Sequence, residues 1–376
     1  MAENPTVIVA EHGSPQQVLV NVFLRGGADG LHLVPPVGDD GYQKARPTLA
    51  LSARNTLPLE GIFRLNRNLA PLYPLWEDQQ LAIIHQAGTP ETSRSHFEAE
   101  DYLQYAGKSG GGWLGRFLHL TKKSAAGPLT AVSIGEQISD SLHGTAAVAM
   151  RSLEEFALPD QSEPWQAELA QLYARAGGQL GRAGQDTLAA MQRIQKLTAS
   201  LRADPRDSKR KTAPDEFTDG LELIARLIQA DLGLRAATIT LGGWDSHFGA
   251  AALLASLVPR MATGLAHFAA LLGGDLKRVT VVVMSEFGRQ VAENSSLGTD
   301  HGRGGVHWVL GGGVKGGTVH ADWTGLDEAL MTYPSDVPVK TDYRSTLGAV
   351  CRHLEPEVDL ARLFPDFQGA PLPIYG

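Results

Sequence analysis

Acidic and imidazole side chains recur at five places in the chain, four of them beside glycine, and together they suit the holding of a cation. Arg25-Gly26-Gly27-Ala28-Asp29-Gly30 carries an aspartate, with His32 just beyond. Arg94-Ser95-His96-Phe97 carries an imidazole, and Gly242-Gly243-Trp244-Asp245-Ser246-His247 pairs a carboxylate with one. Ser285-Glu286-Phe287-Gly288-Arg289 and Gly298-Thr299-Asp300-His301-Gly302 follow, with His307 close behind. Zinc and the harder divalent cations take Asp, Glu and His ligands, and glycine lets backbone approach closely. Asp29, Asp245, His247, Glu286, Asp300, His301 and His307 are therefore the candidate metal ligands.

Each motif also has a plainer reading. Asp29 stands in a common turn sequence. Asp245 could cap a helix with His247 incidental, and Glu286 could pair with Arg289. His307 alternates within a strand pattern and could simply pack. His32 reads as a structural or supporting residue. Glu286 directly follows a valine-rich run, where an unpaired buried carboxylate would be costly.

Ser95, with Ser93 as the fallback, lies at the expected start of a helix, where free N–H groups and the helix dipole favour an anion. Besides an ordinary cap, the residue offers a hydroxyl nucleophile activated by a bound cation. Arg94 or Arg25 could hold a phosphate or sulfate through a bidentate fork. Ser95, His96, Arg94 and Arg25 form the candidate catalytic group.

The elements that must position these residues alternate strand and helix. Apolar, β-branched runs at 17–24, 81–85, 129–134, 236–241, 278–284 and 306–310 read as strands. The pattern predicts an α/β three-layer sandwich with a mostly parallel central sheet. Ligands of such sheets bind beyond the carboxyl ends of the strands, and that is where the five motifs fall. Residues 163–232 are rich in Ala, Gln, Leu, Glu and Arg at helical spacing. They predict about three helices, broken at Gly177-Gly178 and at 203–214, forming a helical insertion within a single domain spanning 1–376.

Composition narrows the function classes. The 376 residues carry a net charge of −8 without an extended basic stripe, so nucleic acid is not an expected partner. Residues 208–211 hold only a short basic run in a polar linker. No apolar run reaches the roughly 20 residues of a bilayer span. Residues 1–16 lack the basic start and apolar core of a signal peptide, so the expected location is cytoplasmic as written, or periplasmic if a leader has been removed. The single cysteine, Cys351, excludes an internal disulfide and a cysteine zinc cluster; it reads as a buried small hydrophobe. Gly-x-Ser-x-Gly, His-Glu-x-x-His and a phosphate loop are all missing. Gly311-x-Gly313-x-x-Gly316 and Gly110-x-Gly112-x-x-Gly115 match a dinucleotide pattern by letter but lack its strand–turn–helix setting.

The five motifs, with Val314-Lys315-Gly316-Gly317 beyond them, resemble in order the DUF1501 family of bacterial proteins. The resemblance runs from about Leu19 to Leu354. It implies frequent export by the twin-arginine route and kinship with the alkaline phosphatase and sulfatase superfamily, a metal-dependent α/β fold. That superfamily has an aspartate after the first strand, a nucleophile at a helix start, and later Asp/His pairs for one or two metals. The resemblance thus implies Asp29 and Ser95 in the first two roles, with Asp245, His247, Glu286, Asp300, His301 and His307 completing the site. Glu286-Phe287 stands where relatives usually carry Asp-His. The sulfatase Cys-x-Pro-Ser-Arg motif is absent, which argues against a formylglycine enzyme. The expectation is a hydrolase of phosphate or sulfate esters using divalent cations (Zn, Mn, Mg or Ca), two in the fullest version, and acting on a small anionic ester. The alternatives are a non-catalytic metal-stabilised binding protein and a metal-dependent phosphotransferase or mutase.

Overall fold

All seven residues of Val18–Leu24 are buried. Alternate side chains of a strand point to opposite faces, and here Val18, Val20, Val22 and Leu24 join one core while Leu19 and Phe23 join another. A strand buried on both faces must lie inside a sheet with layers above and below it. The computed structural model describes residues 16–107, 110–121, 127, 129–153, 163–202, 215–326 and 334–376.

The strands are β1 (Val18–Leu24), β2 (Thr56–Pro58), β3 (Arg64–Asn66), β4 (Leu81–Gly88), β5 (Ala131–Ile134), β6 (Val148–Met150), β7 (Ala236–Leu241), β8 (Val279–Met284), β9 (Gly305–Gly311), β10 (Val319–His320) and β11 (Thr341–Asp342). β2 and β3 form a small separate hairpin. The main sheet runs β10-β4-β9-β8-β1-β7-β5-β6, with β11 also on β4. Its pairs are parallel except for those of β9, which runs antiparallel to both β4 and β8. The mixed α/β architecture with a mostly parallel sheet is the one the strand–helix alternation predicts.

One face is covered by Ala250–Leu272 and Glu216–Gln229, the other by Trp113–Leu120 and Tyr343–Leu354. Glu216–Gln229 lays Phe217, Leu221, Ile224 and Ile228 into the core, each such side chain contributing about 1.5–3 kcal/mol. Gly264 makes that contact possible, since a Cβ there would lie 2.9 Å from the Phe217 ring. Glu163–Ala176 and Gly178–Arg202 pack on each other, and Ala190 and Ile194 of the latter join the same core as Glu216–Gln229. The break at Gly177-Gly178 is present, both residues having positive φ. The expected break at 203–214 lies outside the described residues. Ala250–Arg278 is long and apolar enough to cross a membrane by length and composition, but its Leu254, Val258, Met261 and Phe268 are buried in the core. Cys351 is fully buried, and burial pushes its thiol pKa up.

Candidate metal centre

Sheet register brings the motif loops to one place. β1 pairs Leu24 with Leu241 of β7 and Phe23 with Met284 of β8, so the loops starting at Arg25, Gly242 and Ser285 leave the sheet side by side. β9 runs the other way, so the segment entering it, Asp300-His301-Gly302, reaches the same edge from the opposite chain direction. The loops then touch backbone to backbone. A Cβ on Gly26 would sit 2.6 Å from the Asp245 nitrogen, and one on Gly298 would sit 2.2 Å from the His247 carbonyl carbon. Only glycine fits such approaches, and Gly26 also holds φ near +120°.

At this edge one donor atom from each of His96, Asp245 and His301 lies within 4.8 Å of the others, a set that could hold a metal ion. His96 Nε2 is buried without a hydrogen-bond partner and stands 3.6 Å from Asp245 Oδ2. His301 Nε2 lies 3.2 Å from Asp245 Oδ1. His247 borders the group, its Nε2 2.9 Å from His301 Nε2 and 3.2 Å from Asp245 Oδ1. Phe287 packs against the rings of both His96 and His301, with centroids 4.9 and 4.6 Å away.

The second nitrogen of each imidazole is held from behind. His96 Nδ1 meets Glu286 Oε1 at 2.7 Å, His247 Nδ1 meets Asp300 Oδ1 at 2.8 Å, and His301 Nδ1 meets the Arg94 carbonyl at 2.8 Å. Carboxylate and carbonyl oxygens accept, so each Nδ1 carries a hydrogen, and a ring in its neutral form then has its lone pair on Nε2, the atom that would face a cation. Acceptors of this kind orient metal-binding histidines. Burial pushes the His301 pKa down against the pull of the Arg94 carbonyl and Asp245, which favours the neutral ring that a metal needs.

Arg289 fixes the backbone around the cluster. Its buried guanidinium donates to the carbonyls of Gly26, Gly27, Trp244 and Thr299, and at 2.7 Å to Asp245 Oδ1. Burial alone would raise the Asp245 pKa, but the bonds from Arg289 and His301 bring it down to about 2. The hydrogen bond from His247 likewise lowers the Asp300 pKa.

Not every residue singled out in the sequence joins the cluster. Asp29 is 1% exposed and faces Arg46, with Oδ2 2.6 Å from its Nη1 and Oδ1 accepting from the His32 nitrogen. The aspartate expected as a ligand is thus neutralised by an arginine that sequence spacing did not single out. Glu286 and Asp300, also expected as ligands, meet the Nδ1 atoms of His96 and His247. His307 lies within β9 opposite Ile84, and burial pushes its pKa down to about 4. It belongs to the sheet because its strand position turns it into the packed layer. His32 is buried beside Asp29.

Arg94, expected as one of two residues able to hold an anion, is engaged by the protein itself. Its guanidinium is taken by Asp336 Oδ2 at 2.6 Å and by the His301 carbonyl, so it braces the loop. Arg25 keeps an exposed guanidinium with Glu100 at 2.7 Å. Ser95 is exposed at the N-cap of His96–Tyr105, and its side chain makes no capping bond. Ser93 Oγ instead bonds to Glu98 and accepts from the Ser95 nitrogen. Sequence reasoning missed Asn294, which donates to Asp300 Oδ1 and the His247 carbonyl, and the Phe287 platform. Neither has a motif signal beyond closeness to the ligand-bearing loops. Among the described residues one group, His96 with Asp245 and His301, has the spacing that a cation would need.

Residues 71–371 match the model of a family described as "Protein of unknown function (DUF1501)". No curated protein matches the chain. Among solved structures the chain is similar to the PsFucS1 sulfatase from Pseudoalteromonas sp., at 11% identity with a TM-score of 0.35. That similarity covers 81% of this chain and 64% of the sulfatase, so the chain spans less than two thirds of its length.

Proposed function

The chain belongs to the DUF1501 family, and from that premise we propose that it is a metal-dependent hydrolase of phosphate or sulfate esters, akin to the alkaline phosphatase and sulfatase superfamily. The observation that carries this reading is the meeting of His96, Asp245 and His301 at the carboxyl edge of a mostly parallel sheet. A divalent cation held by these residues would polarise the ester and favour ionisation of a neighbouring hydroxyl.

The chain's own groups supply the rest. Ser95 Oγ, exposed and unused in capping, attacks the phosphorus or sulfur from the residue just before His96. The bond to the leaving oxygen breaks as the serine bond forms, the serine proton leaves to solvent, and water then cleaves the serine ester. Arg25 holds the non-bridging oxygens, helped by the free N–H groups that open His96–Tyr105. Phe97 and Phe248, 85% and 77% exposed beside His96 and His247, offer apolar surface to the organic part of the ester. The substrate is then a small anionic ester.

Assay of aryl phosphate mono- and diesters and aryl sulfates with Zn²⁺, Mn²⁺ or Mg²⁺ tests the reading. Turnover abolished by Ser95→Ala is the expected result; no turnover with any cation sinks it. The second reading, a metal-stabilised site without catalysis, is favoured by one observation. Arg94 and Arg289, both beside the cluster, are consumed by protein acceptors, and Arg25, though more than half exposed, is paired with Glu100. Metal binding without turnover would select it.

A further inference from the structure

We infer that His247 is a fourth donor, completing a three-imidazole, one-carboxylate centre built for a borderline transition ion such as Zn²⁺ rather than for Mg²⁺ or Ca²⁺. The inference rests on the metal reading above and goes beyond it by naming the ion class.

The argument begins with two nitrogens. His247 Nε2 and His301 Nε2 stand 2.9 Å apart. Each ring already gives its Nδ1 hydrogen to an oxygen, Asp300 Oδ1 in one case and the Arg94 carbonyl in the other. With both Nδ1 atoms so engaged, Nε2 is the atom each ring can offer a cation, and the two Nε2 atoms stand side by side. Asp245 Oδ1 is 3.2 Å from both nitrogens. With Zn–N distances of about 2.0–2.1 Å, neighbouring donors of a tetrahedral site stand about 3.3 Å apart. The observed spacings of 2.9, 3.2 and 3.2 Å are close to this value. His96 brings the third imidazole, its Nε2 unpartnered and 3.6 Å from Asp245 Oδ2, its Nδ1 held by Glu286. Mg²⁺ and Ca²⁺ prefer all-oxygen shells, whereas imidazole suits Zn²⁺, Co²⁺ and their neighbours.

The full chain is stripped with a chelator and titrated with Zn²⁺, Co²⁺ or Mg²⁺ under chelator competition, with no substrate present. Expected are one Zn²⁺ per chain, at least about 1,000-fold tighter than Mg²⁺, and an intense visible Co²⁺ spectrum of a tetrahedral site. His247→Ala should weaken Zn²⁺ more than about 100-fold and collapse the Co²⁺ bands, which exceeds the 10–100-fold cost of losing an outer partner. His247→Cys keeps a donor in place and should add a thiolate-to-Co²⁺ charge-transfer band. Far-ultraviolet circular dichroism confirms that both variants fold. Zn²⁺ affinity within about threefold of wild type in His247→Ala, with an unchanged Co²⁺ spectrum and no new band in His247→Cys, overturns the inference. So does Mg²⁺ binding as tight as Zn²⁺. Tight Zn²⁺ binding without ester turnover leaves this centre standing and removes only the hydrolase.

Discussion

Asp29 and Asp245 both follow a central strand, both lie near histidines, and both are held by an arginine, yet their surroundings differ in kind. Asp29 is 1% exposed, and both its oxygens are used: Arg46 takes one and the His32 nitrogen the other. The Asp245 side chain is 47% exposed, and Arg289 binds only Oδ1, leaving Oδ2 turned toward His96. Arg46 is spent in turn on the carbonyls of Val291 and Gln290, so its pair with Asp29 is a closed structural clamp. A carboxylate at a strand end becomes a ligand candidate when it keeps an oxygen free and faces unprotonated nitrogens. Position at the sheet edge is not enough.

Replacing each aspartate in turn tests this contrast most severely. Asp245→Ala and His301→Ala should each remove bound metal, a loss larger than the roughly 10–100-fold that an outer partner contributes. Asp29→Asn should leave metal content at the wild-type level. Elemental analysis of the purified variants decides: metal lost from Asp29→Asn and kept by Asp245→Ala would reverse the two roles. The next effect in size falls on stability. Arg46→Leu strands a fully buried carboxylate, and breaking such a pair costs about 3–5 kcal/mol. Denaturant unfolding measures the loss. A double change, Asp29→Leu with Arg46→Met, should recover much of it, because the cost lies in the uncompensated charge.

The same contrast explains what the sequence disclosed. The buried runs of β1, β7 and β8 predicted the parallel sheet, and the glycines at their ends predicted which edge would carry chemistry. Asp245, His247 and His301 were legible because each sits in a glycine-bounded loop where a side chain has few other uses. Which carboxylates meet the Nδ1 atoms of the imidazoles was not legible, since Glu286 and Asp300 have the same chemistry and similar neighbours in sequence to Asp245. Only distance separates them. Arg46 was hidden for a related reason: it lies 17 positions beyond Asp29, and no spacing rule announces a partner at that separation. Nor did the strand pattern show that β9 runs antiparallel, although this is what delivers Asp300 and His301 to the site.

A third prediction separates the supporting acids from the donors. Glu286→Gln should weaken metal binding by about 10–100-fold while leaving one metal site, because His96 loses its orienting carboxylate but keeps its Nε2. A loss as complete as that of Asp245→Ala would make Glu286 a ligand after all. Acid should act on the cluster before it acts on the sheet. Asp245 titrates at about 2 in the fold against an ordinary 3.8, and Asp29 and Asp300 are also lowered. A carboxylate with a depressed pKa contributes stability that is fully present above its unfolded value and lost as the pH falls through its folded one. Thermal unfolding of the metal-free protein should therefore hold its midpoint down to about pH 5 and lose stability between about pH 4 and 2. Asp245→Asn should shallow that decline, and an acid limb identical to wild type would remove Asp245 as its source.

The smallest effect belongs to Asp300, and its size is informative because its role copies that of Glu286. Both carboxylates accept from the Nδ1 of a cluster histidine, at 2.7 and 2.8 Å. Glu286 does so in a dry setting, with its side chain fully buried and further bonds from the Gly26 nitrogen and Ser285 Oγ. The Asp300 side chain is 50% exposed, so water can take over its bond to His247 when it is removed. Asn294 would still hold the His247 carbonyl and keep the loop in place. Asp300→Ala should thus sit at or below the lower end of the outer-partner range, about tenfold in metal affinity, clearly short of Glu286→Gln. Chelator-competition titration of the two variants side by side measures the gap. If Asp300→Ala proves the more damaging, the exposed carboxylate is gripping the ion itself, and the division between donors and supporting acids must be redrawn around it.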